Sequence, residues 1–111
     1  MAKVKSNGST TVRALIEVSI TPQKDLGFDS IAERIYNYPQ VKSCYLLSGG
    51  FDLLVIVEGE SIHTVADFVA AKLSSMANVR QTATHFLLRK YKEEGQIFKQ
   101  SKVEHKQNIS Y

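Results

Sequence analysis

Residues 41–57 read VKSCYLLSGGFDLLVIV, and the fold turns on them. Val41 to Leu47 is an apolar-rich run, Ser48-Gly49-Gly50 carries tight-turn chemistry, and Phe51 to Glu58 is a second run. Two such runs joined by glycines predict a β-hairpin. Leu53, Leu54, Val55, Ile56 and Val57 are apolar at every position. Side chains of a strand alternate between faces, so a continuous apolar run predicts a strand covered on both. A single layer of helices covers only one.

Working outward, Val12, Ala14, Ile16, Val18 and Ile20 alternate with Arg13, Glu17 and Ser19, a period of two that predicts a strand closed by Pro22. Phe28, Ile31, Ala32 and Ile35 then recur at the spacing of one helical face, and the helix is expected to end before Pro39. Beyond the hairpin, Ile62, Val65, Ala66, Val69, Leu73 and Met76 form a second helical stripe, with His63, Asp67 and Ser74 outside it. Val79 to about Lys90 reads as a last strand, with Thr82, Thr84, Phe86 and Leu88 on one face and Val79, Ala83 and Leu87 on the other. The order β-α-β-β-α-β predicts an α+β, ferredoxin-like sandwich: a four-stranded antiparallel sheet with both helices on one face. The bare face then needs a cover. A second copy of the same sheet is the simplest one, giving a homodimer of the dimeric α/β-barrel type.

A chain of 111 residues, 43% hydrophobic and 23% charged, suits one folded domain. Residues 1–10 are small and polar and read as a leader or linker, residues 11–92 as the domain, and residues 93–111 as a polar tail, mobile or ordered by a partner. No apolar run approaches the roughly 18 residues that span a bilayer, and the first residues lack a secretory core, so the expected compartment is the cytoplasm with no membrane partner. Cys44 is the only cysteine, which excludes an internal disulfide; its apolar neighbours suggest packing rather than a reactive thiol. From Arg89 onward six bases face three acids, which leaves eight of the 14 bases and eight of the 11 acids before it. A formally neutral body is a poor partner for nucleic acid, whose binding rests on clustered cations.

Chemistry-bearing combinations are few. His63 and Asp67 stand four apart on the second helix, but on its solvent face and without a third ligand, so no metal site is expected. His85 is a lone strand histidine, and no phosphate-binding glycine loop or paired-cysteine spacing occurs, so neither a cofactor nor catalysis is expected. The hairpin tip is more informative. Gly49 and Gly50 permit positive φ and leave backbone N–H groups open to a small carboxylate, while Asp52 beside them can accept from an α-ammonium group. An amino acid carries both charges. The competing reading is a plain turn that Asp52 caps. Thr82 and Thr84 present hydroxyls on one strand face, for a polar ligand or simply because threonine favours strands.

Taken with this element order, the hairpin with Gly49 and Asp52 in a G-x-x-D turn resembles the central signature of the Lrp/AsnC ligand-binding domain, also called the RAM domain. Residues 78–88, NVRQTATHFLL, resemble that family's final strand, in which a valine precedes a T-x-T pair. The resemblance covers about residues 11 to 92. It implies a transcription-regulator domain that dimerises through its sheets, assembles into rings of dimers, and binds small effectors, typically amino acids, between dimers. Gly49, Gly50 and Asp52 would line that site, with Thr82 and Thr84 as further candidates. Such regulators usually carry an amino-terminal helix-turn-helix domain, whereas here ten polar residues precede the first strand, so direct DNA binding is not expected of the chain as given. A stand-alone copy would bind effector itself or join full-length relatives in mixed oligomers. The alternative is a small enzyme of the dimeric α/β-barrel type acting on a small organic substrate. That reading requires a polar residue such as His85 in the cavity between sheet and helices.

Overall fold

The computed structural model describes residues 11–21 and 27–99. The leader at residues 1–10, the stop at Pro22 and residues 100–111 of the tail lie outside the described residues. Strands β1 (Val12–Ile20), β2 (Val41–Leu46), β3 (Leu53–Gly59) and β4 (Val79–Phe86) form one antiparallel sheet in the order β2-β3-β1-β4. Helix α1 (Phe28–Tyr36) joins β1 to β2, and α2 (Ile62–Phe68) joins β3 to β4. This is the expected βαββαβ sandwich, ferredoxin-like, with β1 and β3 at its centre.

Alternation decides which side of the sheet is the core. Ala14, Ile16 and Val18 of β1 lie beside Val57, Val55 and Leu53 of β3, and all six are essentially without solvent contact. Ile31 and Ile35 of α1 and Val65 and Phe68 of α2 close over them. Tyr38, just past α1, sets its ring edge-on to Phe68 at 5.4 Å and 85°, tying the two helical segments together. Asn37 ends α1 by donating its side-chain amide to the Glu33 carbonyl, two residues ahead of Pro39. Ser61 opens α2 by accepting from the Thr64 amide at 3.1 Å, which satisfies one of the helix's otherwise unpaired donors.

The second helical stripe differs from its sequence reading. Val65, Val69, Leu73 and Met76 are buried, but Ile62 and Ala66 are exposed and Phe68 takes a core position. Phe68 lies three residues past Val65 in α2, on the same helical face, and a π turn over Val69–Leu73 follows, in which the Ser74 amide bonds the Val69 carbonyl at 2.7 Å. An i+5 bond widens the turn, so Phe68 and Leu73 come to share a face that a 3.6-residue repeat would separate. A second difference lies in β4. Ile20 pairs with Val79 but Ser19 with Gln81, so Arg80 is one residue extra and Val79 joins the core side with the threonines.

Cys44 lies beside Val55 and packs against the core, where burial pushes its thiol pKa up. This is the packing role read from its neighbours. Among the described residues no helix is long and apolar enough to cross a membrane.

Ile16 sits at the middle of the central strand with no exposure, so Ile16→Ala leaves a cavity there. Urea unfolding should show a loss of about 2–5 kcal/mol; a change below about 0.5 kcal/mol, the level of ordinary surface substitutions, would mean that the core does not centre on this strand.

Candidate functional site

The turn between β2 and β3 is wider than the tight turn read from Ser48-Gly49-Gly50. Leu46 pairs with Leu53, and the Leu47 amide bonds the Asp52 carbonyl at 2.9 Å, so residues 47–52 form a loop. Phe51 and Asp52 belong to that loop and not to the strand. Gly49 has φ of 123°, a value that side chains beyond glycine rarely tolerate, and a Cβ placed at Gly49 or Gly50 would meet nothing within 4 Å. Both glycines are exposed. Among the described residues, the amides of Ser48, Gly49, Gly50 and Phe51 have no backbone acceptor. Together they offer donors to an incoming anion.

Asp52 is anchored on both its main chain and its side chain. Its amide donates to the Val18 carbonyl at 3.0 Å, and its Oδ2 accepts from the Ile20 amide at 2.8 Å. The carboxylate thus caps the end of β1, where the β4 bulge also falls. Its other oxygen makes no hydrogen bond among the described residues, which leaves acceptor capacity for a ligand's ammonium group. The capping reading and the binding reading of Asp52 therefore use different oxygens of one side chain.

Thr82 and Thr84 do not join this corner within one chain. They lie across from Val18 and Ile16 on the helix-facing side of β4, half-buried, and the Thr82 hydroxyl shares a hydrogen bond with Ser74 at 3.0 Å. Strand β1 separates them from the glycine loop, a gap of about 10 Å, or two strand spacings. Gly49, Gly50 and Asp52 meet at one corner, then, while the threonines stand at the opposite edge of the sheet.

Sequence reasoning passed over two features of this end. Leu46 is 60% exposed beside the loop, with Leu47 next to it, an apolar rim on an otherwise polar turn. Asn78 is buried with no hydrogen-bond partner for its Nδ2, while its carbonyl accepts from the Thr21 amide. A polar residue just before a strand reads as a turn former, so no sequence signal marked it as buried.

His85 is on the bare face of the sheet, where its Nε2 lies 3.1 Å from Glu17. It is therefore on the wrong side for a catalytic role between sheet and helices. Arg13 and Glu58, cross-strand neighbours on the same bare face, are joined through Nε at 2.8 Å. Among the described residues no group of three metal-ligating side chains comes together.

Comparison with known proteins supplies an independent line. The family profile of the Lrp/AsnC ligand-binding domain matches residues 13–97. The chain is 48% identical over 94 residues to the HTH-type transcriptional regulator YugG of Bacillus subtilis, covering 85% of this chain and 57% of that protein. It is 27% identical over 84 residues to the leucine-responsive regulatory protein of Rhizobium meliloti, covering 76% of this chain and 54% of that protein. The chain spans about half the length of the curated relatives it matches. Among solved structures, a transcriptional regulator from Neisseria meningitidis in complex with L-methionine superposes with a TM-score of 0.73 at 27% identity, covering 87% of this chain and 64% of that one.

Gly49 provides a direct check on the loop. Gly49→Ala should cost about 1 kcal/mol or more in thermal or urea unfolding, because alanine strains at this φ, whereas Gly50→Ala should stay within about 0.5 kcal/mol of the parent. Equal effects at both positions would show that the loop does not hold the backbone described.

Proposed function

The chain belongs to the Lrp/AsnC ligand-binding domain family, and on that premise we propose that it is the effector-binding and oligomerisation module of an Lrp/AsnC-type transcription regulator. The effector is a small molecule with a carboxylate and an ammonium group, an amino acid by its chemistry. It acts in the cytoplasm on an assembly built from homodimers, and the module binds rather than catalyses.

The observation that carries this reading is the corner at Gly49, Gly50 and Asp52. Open backbone amides and an anchored carboxylate with one unpaired oxygen lie side by side, which matches the two charges of an amino acid at its α-carbon. The exposed Leu46 and Leu47 next to them supply apolar surface for the ligand's side chain or for a neighbouring copy. The complex of the Neisseria relative with L-methionine supports the ligand class.

The separation of Thr82 and Thr84 from that corner bears on where the effector sits. A ligand that used both sets of residues would have to bridge copies, with the loop from one and the threonines from another. Such a ligand favours the assembly in which the two are adjacent, by its differential affinity for the two states. On this reading dimers form through the bare sheet faces, and dimers join into rings through the loop corners. Full-length relatives sharing those surfaces would join mixed oligomers.

Light scattering and calorimetry with a panel of amino acids test the proposal on the intact chain. At least one member should bind and change the assembly size. Asp52→Asn keeps an acceptor for the Ile20 amide but removes the charge, so it should keep stability within about 1 kcal/mol while weakening that binding about tenfold or more. No binding by any panel member, or unchanged binding in Asp52→Asn, would remove the corner from consideration.

A further inference from the structure

Arg13 and Glu17 on β1, Glu58 on β3 and His85 on β4 stand on the bare face of the sheet, around the apolar Leu15, Leu54 and Ile56. Arg13 is matched to Glu58 through Nε at 2.8 Å, and a guanidinium and a carboxylate keep opposite charges from about pH 5 upward. Glu17 is matched differently. Among the described residues its one ion-pair partner is His85, whose Nε2 lies 3.1 Å from Oε2, with both side chains partly exposed. A neutral imidazole and an imidazolium can both donate to a carboxylate, but only the imidazolium cancels its charge.

The other charges around this face are engaged or distant. Strand β2 brings Ser43 and Tyr45 to it, while Lys42 lines a separate cavity with Glu58 and Glu60. The hairpin past β4, made of β5 (Lys92–Glu93) and β6 (Gln96–Ile97), stands at the Arg13 end. There the Lys90 ammonium lies 2.7 Å from Glu93, and Glu93 lies 3.7 Å from Arg13. Arg89, Lys92 and Glu94 line the groove between hairpin and sheet, a groove that neither Glu17 nor His85 reaches. Arg13 is four residues from Glu17 along an extended strand, about 13 Å. Arg80, at the bulge, is three residues along β4 from Ala83, the cross-strand neighbour of Glu17, or about 10 Å.

We propose that the Glu17–His85 pair makes association of copies through this face proton-dependent, tight when His85 is protonated and weak when it is not. The inference rests on the sheet-to-sheet dimer proposed above and adds the condition under which it forms. A charge carried from water into a contact costs free energy unless a counter-charge goes with it. With a neutral His85 each copy brings one uncancelled carboxylate, and a two-fold axis sets two such charges on facing sheets. An imidazole takes up its proton between about pH 8 and about pH 5, so acidification converts each pair to a neutral one. Association therefore takes up protons, and by linkage it tightens as pH falls through that range. Further down, protonation of the carboxyl leaves the imidazolium without its counter-charge, and the contact weakens again.

Sedimentation of the intact chain, in concentration series from about pH 8 down to about pH 6, reads the effect, and the dimer dissociation constant should fall about tenfold or more on the way. His85→Gln keeps a donor for Glu17 but never a charge. Its dissociation constant should stay near the parent's value at the alkaline end throughout, although His63 and His105 remain to titrate. Glu17→Gln separates the pair from a general effect of acid. Without the carboxylate a protonated His85 is itself the stranded charge, so the dependence should reverse, tight at the alkaline end and weaker toward acid. Both side chains are partly exposed, so circular dichroism should show both variants folded. A parent that stays monomeric at every pH and concentration overturns the sheet dimer and the proton dependence together. A dimeric parent that does not tighten on acidification, a His85→Gln chain that keeps the parent's slope, or a Glu17→Gln chain whose slope does not reverse overturns the proton dependence alone.

Discussion

Five adjacent apolar residues, Leu53 to Val57, cannot all point the same way in a strand, and the architecture follows from that constraint. Leu53, Val55 and Val57 face the helices and lose all solvent contact. Leu54 and Ile56 face the other way, beside Glu17 and Leu15 of β1, and are only half-buried. One face is thus satisfied within the chain, by two helices whose stripes fit it. The other is left with an apolar centre bordered by Arg13–Glu58 and Glu17–His85. Arg13 and Glu58 neutralise each other within the chain, so a second apolar surface can approach beside them without stranding either ion.

The second consequence concerns the sheet corner. Because β3 lies directly beside β1, the loop that precedes β3 must end where β1 ends, and Asp52 is in reach of the Ile20 amide. The hydrogen bond that fixes the loop is therefore made by the residue best suited to hold an ammonium group. Fixing one carboxylate oxygen would cost the proposed site little, since a carboxylate has several lone pairs to offer and the other oxygen is left without a hydrogen bond among the described residues. A site organised in advance by the sheet loses less entropy when a ligand arrives than a mobile glycine loop would.

Most of this was legible in the sequence, and the misses have identifiable causes. Period two in β1, the helical spacing of Phe28 to Ile35 and the glycine-bearing hairpin each state a local geometry, so element order and fold class follow directly. The hairpin loop came out wider because Gly49-Gly50 fixes where the chain turns but not how many neighbours leave the ladder. Val79 was assigned to the wrong face because a β-bulge inserts one residue, and face assignment from sequence assumes a constant repeat; in the second helix Ile62 and Ala66 were placed on the core stripe and Phe68, three residues past Val65, was left off it. The residues of the candidate site were nameable by type, from glycine, carboxylate and hydroxyl chemistry. Their grouping was not, because the position of Thr82 relative to Asp52 depends on β1 lying between β3 and β4.

That last placement bears on mechanism more than on bookkeeping. A ligand held entirely by one copy binds the free and the assembled chain alike, and equal affinity for two states shifts neither, however tight the binding. Control of assembly requires that binding groups be brought together by the assembly itself. Here the described chain holds the glycine corner and the threonine pair on opposite sides of its central strand, with the loop rim of Leu46 and Leu47 exposed. A molecule that uses both sets must report on how copies are arranged, and the geometry that keeps them apart in one chain is what would give an effector leverage over many.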